Sequence, residues 1–222
     1  MTEKPSTQLS TDEVKKSPAA VVLAAGRGSR MGSVKALLPW WNGQTLLEAW
    51  IRRFKEVGCS QVLVVIGHQA EAVQRSVSKD LEVTWVTNDR AAENGARESL
   101  ILALDRLESG SAAWFTPVDV PVVDASTLRA VAQVFANHPK EQPLAALPRH
   151  DHKTGHPVLA GPEFLERLVE GQPGDRIDAV FSWATKRLVF ADIWDPRVLG
   201  NMNFQEDYRA FAPILSGQTT EA

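Results

Sequence analysis

The chain has 222 residues, 44% of them hydrophobic and 23% charged, which suits a globular protein that buries its core without disulfide or metal staples. Twenty-four Lys and Arg against 27 Asp and Glu leave a net charge of −3 with no basic face or arm, which excludes a nucleic-acid binder driven by counterion release. The lone Cys59 excludes an internal disulfide framework and a cysteine-based zinc site, and the apolar runs at 21–25 and 62–66 fall short of the roughly 20 residues a membrane helix needs.

Residues 1–18 are polar and mix charges without an apolar stretch, which predicts a disordered tail rather than a secretory signal and leaves the cytoplasm as the expected location. From residue 19 the pattern alternates. An apolar run at 19–25 predicts a strand, and Leu46, Leu47, Trp50, Ile51, Phe54 and Val57 recur at helical spacing until Gly58. Residues 61–66 are apolar on both faces, as in a strand covered by helices on each side. A helix at 70–77, a strand at 83–87, a helix at 99–107, a strand at 112–115 and a helix at 125–135 come next. The last third predicts strands at 144–147, 156–159, 188–193 and 198–202, and helices at 163–169, 175–184 and 205–211. This alternation predicts one three-layer α/β domain over 19–213 with a mostly parallel, Rossmann-like sheet, and then a tail at 214–222. No heptad pattern is present, so a monomer is expected. In such folds ligands bind beyond the carboxyl ends of the strands.

The turn after the first strand reads Gly26-Arg27-Gly28-Ser29-Arg30-Met31-Gly32, with Lys35 three residues on. Glycines let backbone N–H groups face an anion, and Arg30 and Lys35 add cations beside them. The spacing is not a dinucleotide fingerprint, because Met31 takes the place of the last glycine. Nor is it a P-loop, because Ser33 and Val34 come after Gly32. The loop predicts phosphate binding, against the plainer reading of a tight surface turn with unrelated charges.

Residues 23–39, LAAGRGSRMGSVKALLP, resemble the pattern LAAGxGxRMGxxKxLLP that opens nucleotidyltransferases of the molybdenum cofactor type, the MobA-like NTP transferases. Further segments match in order: Gly43 to Glu48; Asn88, Gly95, Ser99 and Leu100; Asp119-Val120-Pro121; Gly155-His156-Pro157-Val158-Leu159; and Asn201-Met202-Asn203 with Glu206-Asp207-Tyr208. The likeness covers roughly residues 19–212. It implies the nucleotide-diphospho-sugar transferase type of fold. It also implies transfer of a nucleoside monophosphate from an NTP to a small phosphate-bearing acceptor, with pyrophosphate as the leaving group. By the same resemblance Arg30, Lys35 and Asp119 are the catalytic residues, and Asp119 and Asn203 hold Mg²⁺. Leu23, Ala24, Ala25, Gly26, Gly28, Asn88, Gly95 and Ser99 bind the nucleotide, while Gly155 and His156 face the acceptor. Ala25 and the GHPVL segment favour CTP and the molybdopterin cofactor, and the family context implies a molybdoenzyme or chaperone as partner.

The chemistry asks for little else. The acceptor phosphate is already an anionic nucleophile, so positioning and charge neutralisation dominate over general-base catalysis. A hard cation takes one or two carboxylate or amide oxygens with phosphate oxygens and water. Asp119, held between Pro117 and Pro121 after an apolar strand, suits that role.

Other readings stay open. Residues 116–121 are spelled more like a guanylyltransferase, and Gly174-Asp175-Arg176-Ile177 departs from the family's GDxGAR, so a guanylyl or a sugar- or alcohol-phosphate nucleotidyltransferase is the alternative. His150 and His152 share a strand face and, with His156, form the rival of a zinc-dependent hydrolase. The competing view is an acceptor-side loop with only His156 turned inward. A binding module without turnover is the third class, against which the joint presence of Arg30, Lys35, Asp119 and Asn203 speaks. Cys59 has no neighbouring His or Lys and reads as structural. Trp40-Trp41 reads as an interaction surface or a loop cap.

Overall fold

The computed structural model describes residues 17–28, 30–108, 110–138, 143–172 and 175–216, the side chains of 92, 94 and 212–216 excepted. The tails expected at 1–18 and 214–222 lie outside the described residues up to 16 and from 217. One sheet contains β1 (Ala19–Leu23), β2 (Val62–Ile66), β3 (Thr84–Thr87), β4 (Ala113–Pro117), β5 (Ala145–His150), β6 (Lys153–Thr154), β7 (Val158–Ala160) and β8 (Leu188–Asp192). The strands run side by side in the order β3-β2-β1-β4-β7-β5, and β5 also pairs with β6 and β8. Pairs β1–β2, β1–β4, β2–β3 and β5–β8 are parallel, whereas β7 runs antiparallel to β4 and β5. The sheet is mixed and mostly parallel, as the alternation of elements predicts.

Because successive strand residues face opposite sides, β1 splits its side chains between two cores. Ala20 and Val22 join Val64, Trp114 and the apolar stripes of α1 (Leu46–Glu56) and α4 (Ala125–Ala136). Ala19 and Val21 join Leu63, Val65, Phe115 and the inner faces of α3 (Ala91–Leu104), α5 (Pro162–Glu170) and α6 (Ile177–Ala184). Trp50, Phe54 and Trp114 pack together on the first side, and Phe115, Phe164 and Phe181 on the second. Three layers result. The short α2 (Ala70–Arg75) comes after β2, and α7 (Gln205–Ser216) closes the described chain.

Local chemistry explains the element ends. Thr45 Oγ1 accepts from the Glu48 N–H at 3.2 Å and starts α1. Pro162 sits in the first turn of α5, where its missing N–H costs nothing. Arg97 of α3 is buried and donates to the carbonyls of Leu168, Val169 and Gln172, locking α3 onto the end of α5.

Two expectations need correction. The strand expected at 198–202 is absent, because Asp195 Oδ1 accepts from the Arg197 N–H and Pro196 fixes φ, which winds Pro196–Leu199 into a 3₁₀ turn. The helix expected from Ser99 begins eight residues earlier, and Gly95 at φ +74° breaks it in a conformation that glycine adopts readily. Of the two readings open for Trp40-Trp41, burial of Trp40 in the core with Trp41 exposed goes against a joint surface. Among the described residues no helix is long and apolar enough to cross a membrane.

Candidate functional site

Beyond the carboxyl ends of β1 and β4 lies a cleft of about 370 Å³. Its floor is the chain leaving β1, where Leu23, Ala24, Ala25, Gly26 and Gly28 lie in sequence, and Arg30 and Lys35 stand on the next turn. Pro117, Val118 and Asp119 supply the side at the end of β4, and Gly95, Ala96 and Ser99 the side formed by α3. Gly28 holds φ +63°, and a Cβ there would collide with the Ser33 carbonyl, so only glycine lets the loop fold back on itself. The Met31 N–H donates to the Gly28 carbonyl at 2.9 Å and closes that turn.

Lys35 is the centre of the polar arrangement. Its ammonium donates to Asp119 Oδ2 at 2.6 Å and to Asn203 Oδ1 at 2.8 Å, joining residues 84 and 168 positions away. Each partner is held from behind. The Met202 N–H donates to the Asp119 carbonyl at 2.9 Å, and buried Trp50 donates through Nε1 to the Val120 carbonyl at 2.9 Å. Asp207 Oδ2 accepts from the N–H groups of Asn203 and Phe204 at 2.9 and 2.8 Å, anchoring the approach to α7. Gln205 Nε2 donates to the Met31 carbonyl of the glycine loop, and the Tyr208 hydroxyl donates to the Pro39 carbonyl beyond it, so α7 clamps the segment that bears the loop and Lys35.

The cleft thus gathers eleven of the fourteen residues expected to form the site, Arg30, Lys35, Asp119 and Asn203 among them. Three stand outside its lining. Asn88 is buried and donates to Ser99 Oγ at 2.9 Å, so it reaches the cleft only through Ser99. Gly155 is pressed against the Val198 carbonyl, where any Cβ would clash. His156 donates its backbone N–H to the same carbonyl, and its ring Nδ1 is enclosed without a hydrogen-bond partner. Burial pushes that imidazole down to about 4, although the nearby Asp119 charge pulls the other way. His156 is therefore neutral at physiological pH.

The rival histidine set does not assemble. His150 Nδ1 lies 2.8 Å from the Ile193 carbonyl, and His152 sits at φ +64° in the turn between β5 and β6. Among the described residues no three His, Cys, Asp or Glu side chains form a group that could hold a metal. The zinc-hydrolase alternative therefore lacks its ligand cluster. By contrast, Asp119 Oδ2 and Asn203 Oδ1 already converge on one cationic group, and both are hard oxygens of the kind that Mg²⁺ or Mn²⁺ accepts alongside phosphate oxygens.

Sequence reading missed Asp207 and Gln205 as supports, and Ala36, Ala91 and Ala96 as lining. A capping carboxylate three residues after Phe204 was the available signal for Asp207. The alanines carry none.

The model of the family described as the MobA-like NTP transferase domain matches residues 20–187. The bifunctional protein GlmU of an Anaeromyxobacter species is 38% identical over 119 residues, 51% of this chain and 24% of that protein. This chain therefore spans about a quarter of the length of such relatives. The molybdenum cofactor cytidylyltransferase of Escherichia coli is 25% identical over 150 residues, 68% of this chain and 73% of that enzyme. A nucleotidyl transferase from Methanothermobacter superposes with a TM-score of 0.74 at 26% identity, covering 90% of this chain and 97% of that one. Rv0371c of Mycobacterium tuberculosis, solved in complex with manganese, superposes with a TM-score of 0.69 at 23% identity, covering 88% and 97%.

Proposed function

The chain belongs to the MobA-like NTP transferase domain family, a family of nucleotidyltransferases, and from that premise we propose that it moves CMP from CTP to the phosphate of the molybdopterin cofactor, releasing pyrophosphate. The observation that carries this reading is the convergence of Lys35, Asp119 and Asn203 beside a glycine loop that also bears Arg30. The likeness to the cytidylyltransferase of Escherichia coli supports the choice of CTP. The reaction belongs in the cytoplasm, with a molybdoenzyme or its chaperone as recipient of the product.

An oxygen of the acceptor phosphate attacks the α-phosphorus of CTP. A new P–O bond forms as the bond to the β-phosphate oxygen breaks, and the electron pair leaves with pyrophosphate. The acceptor is already anionic, so no residue has to remove a proton. Leu23, Ala24 and Ala25 lie against the base, and the N–H groups of the loop at Gly26 and Gly28 meet ribose and phosphates. Gly95 and Ser99 close the nucleotide side, with Asn88 holding Ser99 in place. Arg30 and Lys35 bind phosphate oxygens and offset the charge that grows on the leaving group. Asp119 and Asn203 would hold Mg²⁺, which when bound would supply further neutralisation of the phosphates. On the acceptor side stand Gly155 and His156, packed against the Val198 carbonyl.

Thermal unfolding with each of CTP, GTP, UTP and ATP, with and without Mg²⁺, tests the reading. A ligand at about 100 times its Kd adds roughly 2.7 kcal/mol of stability, and the largest rise in Tm is expected for CTP with Mg²⁺. Selectivity for GTP would move the assignment to the guanylyl branch, which the spelling of residues 116–121 favours. No shift with any nucleotide would contradict phosphate binding by the loop.

A further inference from the structure

We propose that Lys35 is a resident counter-ion that a divalent metal must displace, and that this exchange makes metal and nucleotide enter the cleft together. The proposal rests on the reading of Asp119 and Asn203 as the metal-binding pair. Both oxygens of that pair are already engaged by one ammonium, at 2.6 and 2.8 Å, and the contact is partly shielded, with Lys35 and Asp119 side chains only 16% and 19% exposed. A metal ion seeking the same oxygens competes with two charge-assisted hydrogen bonds.

The local charge count sets the direction of the effect. Lys35 and Asp119 cancel one another, and Arg30 adds a further positive charge to the lining. A divalent cation arriving alone would crowd two cationic side chains around a single carboxylate, which is unfavourable. A triphosphate reverses that balance. It offers the displaced ammonium new oxygens and shares the metal with Asp119. Binding of the two ligands is therefore positively coupled, each tightening the other by the same factor. The lysine spends the free state guarding the carboxylate and the bound state holding phosphate. A short swing of its flexible stem is all that the exchange requires.

The test uses Mn²⁺ as the metal and paramagnetic resonance of free Mn²⁺ as the readout, each CTP titration being read against the same Mn²⁺ and CTP without protein, on the full chain and without acceptor. Wild type should bind Mn²⁺ weakly when alone and markedly more tightly once CTP is present. Lys35→Met should bind Mn²⁺ alone on the order of tenfold more tightly than wild type, the scale of releasing a charge-assisted hydrogen bond, and should lose much of the CTP enhancement. Arg30→Met removes the same charge from the cleft without touching Asp119, and should change Mn²⁺ affinity by less than about threefold. Lys35→Gln serves the same purpose if the methionine variant does not fold. If the Lys35 variants gain no more than Arg30→Met while wild type still holds Mn²⁺ with CTP, displacement is wrong and the site assignment stands. If wild type fails to hold Mn²⁺ even with CTP, the site assignment itself falls and the proposal with it.

Discussion

Single residues in this cleft work through their neighbours' charges. Lys35 neutralises the Asp119 carboxylate, and Asp207 fixes the backbone of Asn203 rather than entering the cleft. His156 gives the clearest residue-scale consequence. Its folded-state value of about 4 lies below the ordinary 6.5, so between those values the unfolded chain takes up a proton that the folded chain refuses. Stability is then complete above pH 6.5 and falls as the pH drops toward 4, by up to about 3 kcal/mol from this group. Thermal unfolding from pH 7.5 to 4.5 should show a shallower loss for His156→Gln than for wild type, and equal slopes would refute the assignment. Cys59 behaves differently: burial alone lifts its thiol to about 12, which keeps it unreactive at neutral pH.

At the scale of elements, the site is a product of two clamps. Trp50 of α1 reaches the Val120 carbonyl in the turn after β4, and α7 returns to the glycine loop through Gln205 and to Pro39 beyond it through Tyr208. Trp50→Phe keeps an aromatic ring but a smaller one, so it opens a cavity and leaves a buried carbonyl without its donor, a loss of at least about 1–3 kcal/mol. Calorimetry should register that as a lowered Tm, and an unchanged Tm would mean that the carbonyl finds another partner. The same clamps mark the reach of local sequence. The glycine loop and the Asp119 turn are legible because their chemistry lies within a few consecutive residues after an apolar strand. The start of α3 is not legible, because residues 91–98 carry no large apolar side chain and Gly95 interrupts the period, while the stabilising contact is Arg97 reaching carbonyls more than 70 positions away. The failed strand at 198–202 has a local cause that apolar counting overlooked, namely the Asp195-Pro196 start signal.

Across the whole molecule, the parity of β1 is decisive. A strand buried on both faces forces helices onto both sides of the sheet, and that layering leaves the carboxyl ends of β1 and β4 as an open edge where the glycine loop and the Asp119 turn meet. Fold class was therefore readable from patterning, and the cleft from the residues just beyond the carboxyl ends of β1 and β4. Asn203 was placed by resemblance alone, since nothing in its spacing announces a partner 168 residues upstream. The central claim is that this cleft transfers CMP to an acceptor phosphate. Pyrophosphate release, monitored with molybdopterin cofactor, Mg²⁺ and each of the four NTPs in turn, tests it most directly. Turnover with CTP should lie well above that with the other three, and should fall on the order of 100-fold or more in Asp119→Ala. Preference for another nucleotide, or full activity in Asp119→Ala, would contradict it.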